Sequence, residues 1–141
     1  MAASQGLRLE TAQAEANHAE VQRKIADLRR QYDADDLAAY AELDERSRAI
    51  GARFEKQIAD VTAQLQPSLR ESIEGALREK KDLEIELLRR THREQARTRF
   101  EHYEAQKRKY DDEVFKAITA LMAAEVSEMQ CSAMALHDLH R

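Results

Sequence analysis

Helix-breaking residues are almost absent from this chain, and this absence constrains its fold more than any other feature. The chain has three glycines and one proline: Gly6, Gly51, Gly75 and Pro67. Strands joined by turns need many more such residues, and no segment alternates apolar and polar residues over a strand's length. The sequence therefore predicts an all-α protein with one break, near Pro67.

Composition supports the same fold class. Ala, Glu, Lys, Leu and Arg account for 78 of the 141 residues, and a share near half is typical of coiled coils and long helices. Leu, Ile, Val and Phe account for only 27 residues, which is few for a globular core. We therefore expect a narrow apolar seam that a second copy or a partner chain completes.

The segment before Pro67 shows the a/d spacing of a coiled coil, with apolar residues in steps of three and four. The seam comprises Val21, Ile25, Leu28, Tyr32, Leu37, Tyr40, Leu43, Ile50, Phe54, Ile58, Val61 and Leu65. It slips over residues 33–36, where acidic residues replace it, and such a slip changes the supercoil locally. The spacing predicts a first long helix over 9–66, after a flexible N-terminus over 1–8.

Pro67 marks the predicted turn of a long coiled-coil helical hairpin. Proline lacks an N–H and clashes with the preceding helical turn, so a helix usually ends before it. Proline is also favourable in the first turn of a new helix, where the N–H has no partner. The sequence predicts a hinge at residues 66–68; a kinked continuous helix is the alternative.

A second long helix is predicted over 67–141. Its seam reads Leu69, Ile73, Leu77, Lys80, Leu83 or Glu84, and Leu87, and it returns as Phe100, Tyr103, Lys107, Tyr110 and Val114. Between Arg89 and Arg99 the seam nearly vanishes. Asp111 or Asp112 could cap a short third helix, so a break over 110–112 is one alternative and a continuous helix is the other.

A basic stretch lies where this seam is weakest. From Arg89 to Lys109 there are eight cationic residues against three glutamates. The candidate partner-binding residues are Arg89, Arg90, Arg93, Arg97, Arg99, Lys107, Arg108 and Lys109. An anionic membrane or the acidic face of a filament such as a microtubule would suit them, and a solvated face is the plain alternative. Nucleic acid is the least favoured partner, because the chain is mildly acidic overall and lacks a nucleic-acid motif.

The last part of the chain is the most apolar and contains Met122, Met129 and Met134, with Val126 and Leu136. Methionine is flexible and suits surfaces that repack around partners. Ordinary bundle core is the alternative interpretation.

Motifs that carry chemistry are missing. The chain lacks a nucleophile elbow, a phosphate loop and a metalloprotease helix motif, so we expect no enzymatic activity and no cofactor. His137 and His140 are three residues apart, but Cys131 is poorly spaced to complete a zinc site with them. With one cysteine and no apolar N-terminal run, the chain is expected inside the cell, in the cytoplasm or cytoskeleton and with a cilium or flagellum as an option.

Two stretches resemble known families. Tyr103-Glu104-Ala105-Gln106-Lys107, Val114-Phe115 and the stretch from Met129 to Leu139 resemble the last helix of BAR-superfamily domains, especially the ciliary BAR-domain-containing family. That resemblance implies a dimeric, curved module that presses basic faces onto membranes. Arg48-Ala49-Ile50-Gly51-Ala52-Arg53, with Glu79-Lys80-Lys81, is similar to a stretch of the small coiled-coil subunit of intraflagellar transport.

These observations predict a non-enzymatic coiled-coil scaffold or assembly subunit in a cytoskeletal, ciliary or trafficking complex. Its expected partners are proteins, bound as a homodimer or as a coiled coil with another chain. The alternative function is a BAR-like dimer that binds anionic membranes through its basic helix face.

Overall fold

The computed structural model describes residues 2–140, with the side chains of residues 5–140. Two helices, α1 (Ala2–Thr62) and α2 (Pro67–Leu139), account for nearly all of this range, which contains no strand. The predicted all-α helical hairpin is confirmed. α1 begins seven residues before Leu9, so the expected flexible N-terminus is helical from Ala2; that segment is rich in good helix formers, and Gly6 alone does not stop the helix.

The connection between the helices comprises residues 63–66, so α1 ends four residues before the predicted 66, and only Gln66 of the predicted hinge at 66–68 lies outside a helix. Thr62 is the last residue of α1 and Pro67 is the first of α2. The carbonyl of Gln66 accepts hydrogen bonds from the backbone N–H groups of Leu69 and Arg70, at 3.0 and 3.1 Å. Gln66 thus closes the first turn of α2, where the missing N–H of Pro67 leaves no donor unsatisfied.

α2 runs unbroken through Asp111 and Asp112, both exposed. A separate third helix after 110–112 is therefore not formed. Neither Gly nor Pro occurs after Gly75, so every later residue can continue the helical hydrogen bonds.

The hairpin divides into two compact units. The terminal unit comprises α1 up to Gln31 and α2 from His102, and the loop unit comprises Tyr32–Glu101. In the terminal unit the helices are antiparallel: Thr11 Oγ1 donates a hydrogen bond of 3.1 Å to Glu128, and the Arg29 guanidinium lies 5.9 Å from the centre of the Tyr103 ring.

Inward positions of the terminal unit follow a seven-residue spacing. On α1 they are Thr11, Ala14, His18, Val21, Ile25 and Leu28, and on α2 Tyr110, Val114, Ala117, Leu121, Ala124, Glu128 and Cys131. Steps of three and four alternate on both helices, which is the repeat that the apolar pattern predicted for α1.

The loop unit follows an eleven-residue spacing instead. Its inward positions on α1 are Tyr32, Asp36, Ala39, Leu43, Ser47, Ile50, Phe54, Ile58 and Val61, and on α2 Leu77, Lys81, Ile85, Leu88, His92, Ala96 and Arg99. Steps of four, four and three give 3.67 residues per turn, close to the 3.6 of a straight helix. The interruption of the seam predicted over 33–36 is therefore the place on α1 where the seven-residue spacing gives way to the eleven-residue spacing.

This repeat corrects part of the predicted seam. Several predicted seam residues are exposed instead: Leu37 and Tyr40 on α1, and Leu69, Lys80, Leu87 and Phe100 on α2. Of the two alternatives at 83 and 84, Leu83 is exposed and Glu84 is partly buried. Asp36 and Ala39 take the places of Leu37 and Tyr40, since a strict heptad assigns the wrong face once the spacing changes to eleven.

The tightest packing of the loop unit surrounds Phe54, which is 2% exposed. Ion pairs between the helices lie beside it: Arg53 pairs with Glu84, and Glu55 pairs with Arg78 at 3.1 Å. A hydrogen bond to Glu74, together with the charge of Glu55, raises the pKa of Arg78. The phenyl ring is thus enclosed by residues whose charged ends reach solvent.

Candidate interaction surfaces

Polar side chains from the two helices contact each other near the places where the predicted apolar seam of each helix is interrupted. Asp36 accepts a hydrogen bond of 3.1 Å from Arg99, and both side chains are more than half buried. The rings of Tyr40 and His92 meet edge to face at 4.6 Å between centroids. The interruption of the seam on α1 and the weak stretch of the seam on α2 therefore lie opposite each other, and their side chains form one polar layer inside the loop unit.

This layer removes Arg99 from the candidate partner-binding residues. Its guanidinium is committed to Asp36 inside the hairpin, so it is not available to a partner. Breaking a part-buried ion pair leaves an uncompensated charge. Few apolar residues occur near Arg99 because an ion pair between the two helices takes their place there, and not because this surface is left open for a partner.

The other basic candidates fall into two groups. Arg90 and Arg93 both pair with Glu86, at 3.4 and 2.9 Å, which lowers the charge that they present. Five have no hydrogen bond or ion pair within the described part of the chain: Arg89, Arg97, Lys107, Arg108 and Lys109. Lys107 is partly buried and the other four are exposed.

An apolar stripe runs along α2 in the terminal unit, on a face that α1 does not cover. It comprises Phe115, Ile118, Met122, Val126, Met129 and Leu136, which are 39–73% exposed. All but Leu136 lie one or two positions beyond an inward residue such as Val114, Ala117 or Leu121, and Leu136 lies seven positions after Met129, so the stripe is turned by roughly 100° or more from the buried face. Ordinary bundle core was the alternative interpretation of Met122, Val126, Met129, Met134 and Leu136, and within a single chain all five are exposed.

A smaller leucine patch lies on α2 in the loop unit. Leu83 and Leu87 are 65% and 59% exposed. A shallow groove beside Leu83 is lined by Ile85, Glu86 and Arg89 as well. The patch combines apolar contacts with charges of both signs, as the rim of a protein interface often does.

The segments that form these surfaces could be predicted from the sequence, but the side of the helix that each surface occupies could not. It noted Met122, Met129 and Leu136 as apolar without deciding whether they were buried. The missed signal is the presence of two apolar rows on one helix, one beginning at Val114 and one at Phe115, where a two-helix hairpin can cover only one.

Two further findings bear on the kind of site. Over the described residues, neither helix has an apolar stretch of the length and low charge that crossing a bilayer requires. No protein-family model, curated protein or solved structure matches this chain.

Proposed function

We propose that the chain is a non-enzymatic coiled-coil scaffold or assembly subunit that binds protein partners through exposed helix faces. A cytoskeletal, ciliary or trafficking complex inside the cell is the setting that we propose for it. The helices would add their uncovered apolar rows to helices of a partner, as coiled-coil assemblies do.

The observation that carries this proposal is the imbalance between covered and uncovered apolar surface. Among the described residues, six hydrophobic side chains are buried and fifteen large ones are exposed. Single exposed apolar residues are normal on any protein, but rows of them on one helix face mark interaction sites.

Crosslinking in native extract tests the proposal. The tagged wild-type chain is expected to crosslink reproducibly to proteins other than itself, because its apolar rows are uncovered. Replacing Leu83 and Leu87 with glutamate is expected to reduce the capture of partners on that patch at least about tenfold, since each change places a charge in an apolar contact. Quantitative mass spectrometry of the crosslinked products measures both effects.

A matched control carries glutamate at Ala49 and Ala52, two exposed positions on α1. It has the same net charge as the leucine variant and should capture partners as the wild type does. Crosslinks confined to the chain itself would refute the scaffold proposal.

A second candidate function is binding to anionic membranes. The supporting observation is that Arg89, Arg97 and Arg108 are exposed and have no anionic partner within the described residues. A basic residue close to an anionic bilayer contributes about 1 kcal/mol of attraction. Arg89 and Arg97 in the loop unit, and Arg108 and Lys109 in the terminal unit, are the exposed cations that would each add such attraction.

Reversing Arg89, Arg97 and Arg108 to glutamate is expected to weaken cosedimentation with phosphatidylserine vesicles at least about tenfold. The control reverses Lys24, Lys56 and Lys80, which are also exposed, have no ion pair within the described residues and give the same net charge. Equal loss in both variants would show that only net charge matters, and no loss in either would exclude this surface as a membrane site.

A further inference from the structure

The apolar stripe on α2 is long and large enough to serve as a binding surface. From Phe115 to Leu136 it spans about 32 Å at 1.5 Å per residue. Six large side chains, each contributing roughly 100 Å² at their observed exposure, present about 600 Å² of apolar surface. The largest apolar patch of a typical monomer is about 300–600 Å², so this stripe is at the upper end of that range.

The distribution of charged residues along α2 limits the kinds of partner that could cover the stripe. Between Lys116 and His137 the only charged residues are Glu125 and Glu128, although 35% of the whole chain is charged. Glu128 is already engaged by Arg8 and Thr11, at 3.8 and 3.1 Å. A helix that lies on a membrane carries cations along its polar face, and a charged partner needs complementary charges. Basic residues lie before or at the start of the stripe, at Lys107–Lys109 and Lys116, but between Lys116 and His137 the helix has no Lys or Arg on any face. The occupant of the stripe is therefore an apolar surface of low charge.

We propose that this occupant is a second copy of the chain, bound stripe to stripe in antiparallel orientation. Two copies would bury roughly 1,200 Å² of apolar surface in total, which reaches the size of stable protein interfaces. This inference deepens the proposed scaffold function by naming one partner and its surface.

Antiparallel order follows from the spacing of the stripe and from the charges at its end. The stripe is nearly symmetric about a point between Glu125 and Val126, so antiparallel copies place Met122 against Met129 and Phe115 against Leu136. Parallel copies would instead bring Asp111, which lies four residues before Phe115 on the same side of α2, beside its own counterpart, where like charges repel.

Sedimentation equilibrium of the full chain tests the proposal. The wild type is expected to be a dimer, and replacing both Met122 and Met129 with lysine should weaken dimerisation at least about a hundredfold, because both lysines would be buried in the interface. These positions are 60% and 71% exposed in the single chain, so the hairpin itself should keep its helicity. The control replaces Ser127 and Met134, exposed positions turned by more than about 100° from the middle of the stripe, with lysine and should remain dimeric.

Cysteine crosslinking gives a second measurement that does not depend on the lysine variants. With Cys131 changed to serine, a cysteine at Val126 should form an intermolecular disulfide readily, whereas a cysteine at Phe115 should not. Equal crosslinking at both positions would overturn the antiparallel order.

Two results would overturn the stripe as a self-association surface. One is a wild-type chain that stays monomeric up to about 100 µM, and the other is a dimer that the lysine pair leaves unchanged. Neither result touches the scaffold proposal, which fails only if native crosslinking finds no other protein.

Discussion

Replacing Phe54 with alanine is expected to lower the free energy of unfolding by about 3–4 kcal/mol, because the loop unit loses its most enclosed side chain. Phe54 is the only large side chain of the described range that is essentially fully buried. Stabilities of small domains are about 5–15 kcal/mol, so one truncation would remove a large share. Urea denaturation followed by circular dichroism at 222 nm measures the change.

The ion pairs around Phe54 do not compensate for the free energy of unfolding that the loop unit loses in this variant. Arg53–Glu84 and Glu55–Arg78 are exposed pairs that solvent screens, so they add little to stability. Phe100→Ala is the matched control: this ring is 49% exposed and touches Tyr32 edge to face. Its loss should cost about 1 kcal/mol. Equal losses in both variants would show that Phe54 does not anchor the core.

The sequence predicts this fold well because the relevant signals are local. Pro67 acts through its own ring and missing N–H, so the position of the turn follows from one residue. The long helices follow from the scarcity of Gly and Pro, which again requires no knowledge of tertiary contacts. The start of α1 was predicted seven residues late, because the prediction relied on the apolar seam, and a helix can begin several residues before its first seam residue.

The inward faces could not be predicted equally well, because they depend on the partner helix. Leu37 and Tyr40 continue an apolar seam in the sequence, yet Asp36 and Ala39 face inward. Asp36 is acceptable there only because α2 supplies Arg99 opposite it. A search for opposite charges at similar distances from the turn could have suggested this pair.

The candidate surfaces show the same limit. Counting charges identified the basic stretch, but the count could not separate Arg99, which holds the hairpin together, from Arg97, which is exposed. Likewise, apolarity identified the last part of α2, but only the packing of α1 shows which of its two apolar rows is covered.

Replacing His92 with leucine is expected to stabilise the loop unit by about 1–2 kcal/mol. His92 is 7% exposed, and its Nε2 has no hydrogen-bond partner among the described residues. A buried polar atom without a partner costs about 1–3 kcal/mol, and leucine has a similar volume with no polar atom to satisfy. The gain is partly offset by the loss of the ring contact with Tyr40. Urea denaturation of the two proteins gives the difference.

His102→Leu is the matched control, since His102 lies on the same helix but is exposed. Its change in unfolding free energy should stay within about 0.5 kcal/mol. A destabilised His92→Leu variant would contradict the prediction and would mean that the imidazole contributes more through Tyr40 than its unpartnered nitrogen costs. A stabilised variant would mean that the buried imidazole of His92 costs stability, and that its value to the hairpin is in helping to set which residues of α1 lie opposite which residues of α2.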